Sequence, residues 1–341
     1  MRKKFDEIFE DCTKLGTKIK TDEYHSNGKH PIIDQGQEMV AGFTDLEDGL
    51  LDAVPAIVFG DHTRIIKYVD CPFFLGADGV KVLRSKVPNA NYRYLYYALK
   101  NAKIPNTGYN RHYKWLKELE IEYPSIDQQV KTVKVLDKVE SIIYNRQNQL
   151  QKLDELVKAR FVEMFGGIHD SSLYPYVPVK ELTHVISGGT PSRDVLEYWR
   201  DGTIPWVKTT ELQNKIITEV DEHITSKGLA ASSAKIVPPN TTLIAMYGQG
   251  KTRGMTGYLG ISASTNQACA CILPSPEINS VYIWKYFELS YDKLRNMAKG
   301  GNQPNLNGNM IKNFPVLVPP IKRQEEYVQF VNQVDKSKVV A

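Results

Sequence analysis

The run Ala245-Met-Tyr-Gly-Gln-Gly-Lys-Thr252 is the stretch of this sequence most suggestive of chemistry. It follows an apolar segment and ends in Gly-Lys-Thr. That is the wording of a P-loop, whose backbone N–H groups cradle phosphates. Two features argue against it. Ala245 stands where the first glycine belongs, and Arg253-Gly-Met-Thr-Gly257 follows where a helix must begin. Without a helix N-terminus facing the phosphate, the site lacks its main source of positive potential. The alternative is a glycine-rich loop presenting Gln249, Lys251 and Arg253 to an extended anion. Glutamine and arginine form paired hydrogen bonds to adenine and guanine edges.

No other constellation marks an active site. Asp70-Cys-Pro-Phe73 is similar to the Asp/Asn-Pro-Pro-Tyr/Phe loop of amino-methyltransferases, but Cys71 replaces the first proline. No glycine-rich methyl-donor loop stands at the expected place. Serine, histidine and aspartate all occur, yet there is no G-x-S-x-G elbow. No carboxylates are marked as a metal or acid–base pair. The four cysteines, Cys12, Cys71, Cys269 and Cys271, include no C-x-x-C pair. A structural zinc site is therefore not expected, and a reducing compartment is. Cys269 and Cys271 alternate with alanine and read as core or sheet face.

Several polar, glycine-bearing loops read instead as contact surfaces. In the first part of the chain they carry Lys14, Lys18 and Lys20, then Gln35 and Gln37, then His62 and Arg64. A fourth carries Asn106, Thr107, Tyr109 and Arg111. In the second part they carry Ser187, Gly189, Thr190, Ser192 and Arg193, then Lys208, then Gln249, Lys251 and Arg253, then Asn302 and Gln303. Lysine, arginine, serine and threonine reach phosphates, while asparagine, glutamine and arginine read base edges. Any one of these loops alone reads better as a solvated turn. Their parallel placement in the two parts of the chain gives them weight.

The elements that must hold these loops follow from periodicity. Apolar runs predict strands at Pro55–Phe59, Arg64–Val69 and Val80–Val82, with a helix over Asn91–Lys100. The second part repeats this order: strands at Thr242–Tyr247, Thr256–Leu259 and Ala268–Leu273, then an aromatic helix over Val281–Leu289. Between the parts, Pro124 leads about forty residues without proline or glycine, up to Phe165 and stopped by Gly166-Gly167. Ser125 or Asp127 can cap the start. Leu136, Val139, Ile143, Leu150, Leu153, Val157 and Met164 form a heptad seam, interrupted by Arg146 and Arg160. A second apolar line, Val135, Ile142 and Leu156, runs beside it. Such a helix is about 60 Å long and needs a partner helix.

That partner is supplied by a repeat. At an offset of 195 residues, Pro319, Ile321, Gln324, Val328, Val331 and Val334 fall on Pro124, Ile126, Gln129, Val133, Leu136 and Val139. Leu116, Lys117, Leu119 and Ile121 match Ile311, Lys312, Phe314 and Val316 at the same offset. The whole chain therefore reads as two copies of a globular domain followed by a helix. The expected boundaries are 1–122, 123–166, 167–318 and a shorter second helix over 319–341. Net charge is +4, too small by itself to imply nucleic acid. The charged N-terminus reads as no signal peptide, and no apolar run reaches the ~20 residues of a membrane span, so a cytoplasmic protein is expected.

This arrangement resembles the specificity subunit of type I restriction-modification systems. The resemblance spans essentially the whole chain. It is carried by Ser187-Gly-Gly-Thr-Pro-Ser192, Gly202-Thr-Ile-Pro-Trp206, Asn302-Gln-Pro-x-Leu306, and the helix starts Pro124-x-x-x-Gln-Gln129 and Pro320-x-x-x-Gln-Glu325. The first domain lacks the Gly-x-Thr-Pro and Ile-Pro-Trp wording. The resemblance implies an α+β fold of two tandem target-recognition domains, each a small mixed sheet plus helices, separated by a long antiparallel helical spacer. It implies that each domain reads half of a bipartite double-stranded DNA target, and that helix length sets the gap between the halves. It further implies docking of two modification subunits, which bind S-adenosylmethionine, and of restriction subunits, which use ATP and Mg. The chain itself would carry no cofactor or metal and perform no catalysis. A P-loop-like nucleotide-binding protein and a coiled-coil interaction scaffold are the alternatives.

Overall fold

The computed structural model describes residues 1–341 except 77, 109, 249, 299–304 and 341. The chain condenses into two units, Met1–Asn145 and Arg146–Ala341.

The first unit contains β1 (Arg2–Lys4), α1 (Phe5–Ile8), β2 (Phe9–Asp11), β3 (His30–Ile33), β4 (Gly42–Thr44), β5 (Ala56–Gly60), β6 (Ile66–Val69), β7 (Phe74–Leu75) and β8 (Val80–Ser85). Helices α2 (Tyr92–Lys100) and α3 (Tyr113–Lys117) and strand β9 (Glu120–Glu122) follow, and then α4 (Ile126–Phe165). Strands β2-β8-β5-β6 form an antiparallel sheet. Its centre is β5, whose Ala-Ile-Val-Phe-Gly run is buried throughout. A second sheet runs β4-β3-β7, with β3 and β7 parallel. Strands β1 and β9 pair antiparallel and close the unit. Helix α2 is capped by Asn91, whose side chain accepts from the Tyr94 N–H at 3.0 Å. That satisfies a donor the first turn leaves without a partner.

The second unit begins with the distal part of α4. After it come β10 (Tyr176–Pro178), α5 (Val179–Leu182), β11 (Val185–Ser187), β12 (Ile204–Val207), β13 (Lys215–Ile217), β14 (His223–Ile224) and α6 (Ser226–Ala230). Next are β15 (Thr242–Ala245), β16 (Thr256–Leu259), β17 (Ser264–Thr265), β18 (Cys269–Ile272), α7 (Ser280–Leu289), α8 (Tyr291–Met297), α9 (Gly308–Lys312), β19 (Pro315–Leu317) and α10 (Ile321–Val340). The main sheet runs β11-β18-β15-β16-β13, the second β14-β12-β17, and β10 pairs with β19. Apart from β13, which adds a parallel strand beside β16, the order repeats that of the first unit. The duplication read from the offset is thus a duplication of topology.

Equivalent contacts fasten each unit to its helix. Tyr94 Oη donates to the Glu122 carbonyl at 2.8 Å, and Tyr282 Oη donates to the Leu317 carbonyl at 2.9 Å. Gln129 and Gln324, each 1% exposed, donate from Nε2 to the Pro124 and Pro319 carbonyls at 2.9 and 2.8 Å. A proline ahead of the helix lacks an N–H, and the glutamine five residues on secures its free carbonyl.

The long helix ends where expected. Gly166 adopts φ +79°, the left-handed stop that a Cβ disfavours. Its heptad seam does not form one buried line. Val133 and Leu136 pack on the core of the first unit. Val157, Phe161, Met164 and Phe165 are buried against Tyr327, Val331 and Val334 of α10. Tyr327 lies against Phe161 and Phe165, while Lys338 pairs with Asp154 at 2.7 Å, so α10 runs antiparallel to this part of α4. Val139, Ile143 and Leu150 stay exposed at 45%, 51% and 37%.

Cys269 and Cys271 are fully inside the main sheet, and burial pushes both thiols up, Cys271 to about 11. They are core residues, not nucleophiles. His169, in the link after α4, meets the rings of Tyr286 and Phe314 edge-on at 6.0 and 6.3 Å. Burial, helped by the charge of Lys293, pushes its imidazole down to about 4. The unfolded chain therefore takes up this proton first as pH falls. The expected result is a stability contribution present above pH 6.5 and lost as pH drops towards about 4. Denaturant titrations at several pH values check it, and His169→Gln should flatten this part of the profile.

Candidate nucleic-acid interface

In the first unit the polar loops are tied into one framework. Gln35, at the end of β3, accepts from the His62 N–H at 3.2 Å and donates to the Asp78 carbonyl at 3.0 Å. Its own carbonyl accepts from Thr63 Oγ1 at 2.6 Å. Lys18 pairs with Asp78 at 2.7 Å, which brings the lysine-bearing loop to the same place. This hydrogen bond holds the Asp78 carboxyl below the usual carboxylate range. His112 is fully buried, and its Nδ1 donates to the Asp61 carbonyl at 3.0 Å. That fixes the tautomer, leaving Nε2 to accept from Thr107 Oγ1 at 3.3 Å. Asp61 Oδ1 accepts from the Tyr113 N–H at 2.7 Å. Arg64, at φ +63°, donates to the Ile104 carbonyl at 3.2 Å.

The Lys18, Gln35, His62–Arg64 and Asn106–Thr107 loops are therefore joined through Asp61, Asp78 and His112. Asp61 lies in a loop already read from sequence as a contact surface, whereas Asp78 and His112 were passed over. A lone histidine and scattered aspartates carry no signal until the fold brings them together. Lys14, Lys20, Gln37, Asn106 and Arg111 are exposed. Tyr109 lies outside the described residues.

In the second unit Gly188 and Gly189 turn inward. A Cβ on Gly189 would lie 2.3 Å from the Ala234 nitrogen, and one on Gly188 would lie 2.1 Å from Thr265 Oγ1. The closeness these glycines allow is to the chain's own backbone. Gly189 is buried, and its carbonyl accepts from Trp206 Nε1 at 2.9 Å. Its neighbours remain at the surface: Ser187 and Ser192 are exposed, and Thr190 bonds through its hydroxyl to exposed Gln267, which sequence reasoning missed.

Arg193 and Lys208 share one carboxylate. Arg193 Nη1 lies 2.5 Å from Glu222 Oε2, and Lys208 Nζ lies 2.9 Å from Glu222 Oε1. Burial pushes the Glu222 carboxyl up, but the hydrogen bonds from Arg193 and Lys208 outweigh it and hold it below the ordinary glutamate value. The Glu222 hydrogen bond raises Lys208 above the ordinary lysine value. The Arg193 guanidinium stacks 3.6 Å from the Trp199 ring centre and 4.9 Å from that of Trp206. The two indoles meet edge-to-face at 5.0 Å.

The Gly-Gln-Gly-Lys-Thr run lies in sequence between β15 and β16, which pair antiparallel. No helix begins at Lys251. Arg295 donates to the carbonyls of Gly250 and Arg253 at 2.9 and 3.0 Å, and Tyr291 Oη donates to that of Lys251 at 2.7 Å. A phosphate cradle offers N–H groups and a helix N-terminus. Here the carbonyls are held by α8 instead, so the P-loop reading is set aside. Lys251 is exposed and Arg253 half-buried; Gln249, Asn302 and Gln303 lie outside the described residues.

The loops occupy matching positions in the two units. Those bearing Lys14–Lys20 and Gly188–Arg193 follow the equivalent strands β2 and β11. Gln35 and Lys208 follow β3 and β12, and His62–Arg64 and Lys251–Arg253 follow β5 and β15. Among the described residues, no group of three or more His, Cys, Asp or Glu side chains is placed to hold a metal ion, and no helix is long and apolar enough to cross a membrane.

A family model described as the type I restriction modification DNA specificity domain matches residues 1–155 and 173–339. A type I restriction enzyme specificity subunit of Escherichia coli is 23% identical over 336 residues, covering 93% of this chain and 82% of that protein. The type I restriction-modification S subunit from M. genitalium superposes with a TM-score of 0.58 at 16% identity, over 99% of this chain and 90% of that one. A chain from work on complex assembly and conformational transition of a type I system gives a TM-score of 0.52 at 14% identity, over 100% and 91%. At such identities the two structures speak for the fold.

Proposed function

Because this chain belongs to the type I restriction-modification DNA specificity family, we propose that its two units read the two halves of a split double-stranded DNA target. The chain is a specificity subunit and not an enzyme. The observation that carries the split reading is the duplicated topology, with polar loops following equivalent strands in each unit. Two copies of one scaffold with different loop residues suit two different short sequences. In the first unit the reading group is Lys14, Lys18, Lys20, Gln35, Gln37, His62, Arg64, Asn106, Thr107 and Arg111. In the second it is Ser187, Thr190, Ser192, Arg193, Lys208, Lys251 and Arg253, with buried Gly189 supporting the loop.

The partners follow from the same premise. Val135, Val139, Ile142 and Ile143 leave an apolar row on α4 that is 62%, 45%, 50% and 51% exposed. This row is the proposed seat of helices from two modification subunits. S-adenosylmethionine belongs to those subunits, and ATP and Mg to restriction subunits that complete the assembly.

The test is adenine methylation mapped by long-read sequencing. The chain is co-expressed with its modification subunit, which is also expressed alone as control. A new motif of two short half-sites with a fixed gap is expected. Arg253→Ala should relax one half-site and leave the other intact, with discrimination falling by about 1–3 kcal/mol for a lost base contact. Equal loss at both halves would count against separate reading.

A further inference from the structure

Arg193 and Lys208 come from separate loops, yet both end on Glu222. The carboxylate is 29% exposed, Lys208 27% and Arg193 52%, so the group lies at the surface. Its geometry is built from below. The Trp206 N–H donates to the Glu222 carbonyl at 2.9 Å, which fixes Glu222 beside β12. Glu211 accepts from the Lys208 N–H at 2.6 Å and from the Asp221 N–H at 3.1 Å, locking the two loops together. Trp199 and Trp206 hold the flat of the guanidinium, and Trp199 Nε1 is itself anchored on the Ser192 carbonyl at 2.9 Å. Among the described residues Arg193 makes no hydrogen bond other than the one to Glu222. Lys208 also approaches Asp221 at 3.5 Å.

An anion that bridges two cations beside a stacked arginine occupies the position a DNA phosphate would take. We infer that Glu222 is a positioning residue that stands in for a phosphate: it holds Arg193 and Lys208 ready while withholding their charge from arbitrary DNA. This inference rests on the DNA-reading role proposed above. Non-specific attraction depends on how many phosphates are neutralised and how many counterions leave. With Glu222 bridging both cations and Asp221 also beside Lys208, the group presents a net charge of about zero. A cognate duplex, seated by its base contacts, displaces the carboxylate; a non-cognate one gains too little to do so. Glu222 thereby widens the gap between specific and non-specific binding without touching a base.

The experiment measures binding of the full-length chain to a random-sequence duplex between ~50 and ~200 mM salt. For Glu222→Gln the slope of log Kobs against log salt should steepen by about one, and affinity at low salt should rise about tenfold. Glu222→Asp keeps the charge and should keep the wild-type slope. Arg193→Gln alone should change the slope by much less than it does in the Glu222→Gln background. That comparison also serves if Glu222→Gln fails to fold: an Arg193→Gln slope flatter than wild type by a full unit would overturn the inference. So would an unchanged or flatter Glu222→Gln slope. A wild-type chain with no salt-dependent duplex binding would overturn the DNA-reading role itself.

Discussion

Phe161→Ala is expected to destabilise the second unit by about 3–5 kcal/mol, the cost of deleting a fully buried aromatic ring and leaving a cavity. Phe161 is 0% exposed and stands where α4, α7 and α10 meet. Its ring lies 5.0 Å from Phe165, 5.5 Å from Tyr327, 6.0 Å from Tyr286 and 6.1 Å from Tyr282. The Tyr282 and Tyr327 hydroxyls are committed to backbone carbonyls, so these rings have little freedom to fill the space. A domain is typically stable by only 5–15 kcal/mol, so this one change removes a large share. Denaturant unfolding should show a lower midpoint for the second unit alone. A loss under about 1 kcal/mol would mean that the helices close over the gap, contrary to the packing described.

Gln324→Ala is expected to cost about 2–6 kcal/mol, since it strands one buried and one half-buried polar group at ~1–3 kcal/mol each. Gln324 Nε2 donates to the Pro319 carbonyl at 2.8 Å, and its Oε1 accepts from the Asn279 N–H at 2.9 Å. Asn279 in turn caps α7, accepting from Val281 and Tyr282 N–H at 2.9 and 3.1 Å. One side chain thus ties the end of β19, the first turn of α10 and the start of α7. Gln129 is the matching residue in the first unit, but only its Nε2 is engaged; its Oε1 has no partner among the described residues. Gln129→Ala should therefore cost about half as much, with one donor–acceptor pair lost. Thermal unfolding of both variants checks the ordering. Equal losses would mean that the Asn279 contact contributes nothing.

Much of the scaffold was legible because its signals are local. A run free of proline and glycine, stopped by Gly166, reads as a helix without reference to anything else. The strand Thr256–Leu259 matched the expectation to the residue, since turn residues bound it on both sides. The offset between Pro124-led and Pro319-led segments revealed the duplication, because a repeat is visible in sequence wherever equivalent buried contacts demand equivalent residues.

The candidate interface, which remains a proposal, was legible in outline only. The loops were found, but not which side chains meet. Glu222 gave no signal, as an acidic residue is not what a search for DNA contacts selects. Its meaning depends on Arg193 and Lys208, which approach it from other loops. Gly189 looked like a point of approach for a ligand and is a point of approach for Ser233 and Ala234. The extra strand β13 was missed because Lys-Ile-Ile between polar neighbours is too short to register. The heptad seam was real as a pattern, yet a pattern states which residues want cover and not how far that cover extends.

The sheet-bearing part of each unit begins and ends on a pair of adjacent strands. Arg2–Lys4 lies beside Glu120–Glu122, and Tyr176–Pro178 lies beside Pro315–Leu317. The chain thus enters and leaves the sheet-bearing part of each unit within about one strand spacing, ~5 Å. Everything between is a closed excursion that can lengthen, shorten or be replaced without moving its two ends. Such a unit is a cassette: a recombination event joining at the paired strands would transplant a complete set of loops and leave the helical frame in register. The closing strands, the least conspicuous elements of the fold, are in this sense what would let its loops be exchanged in whole pieces.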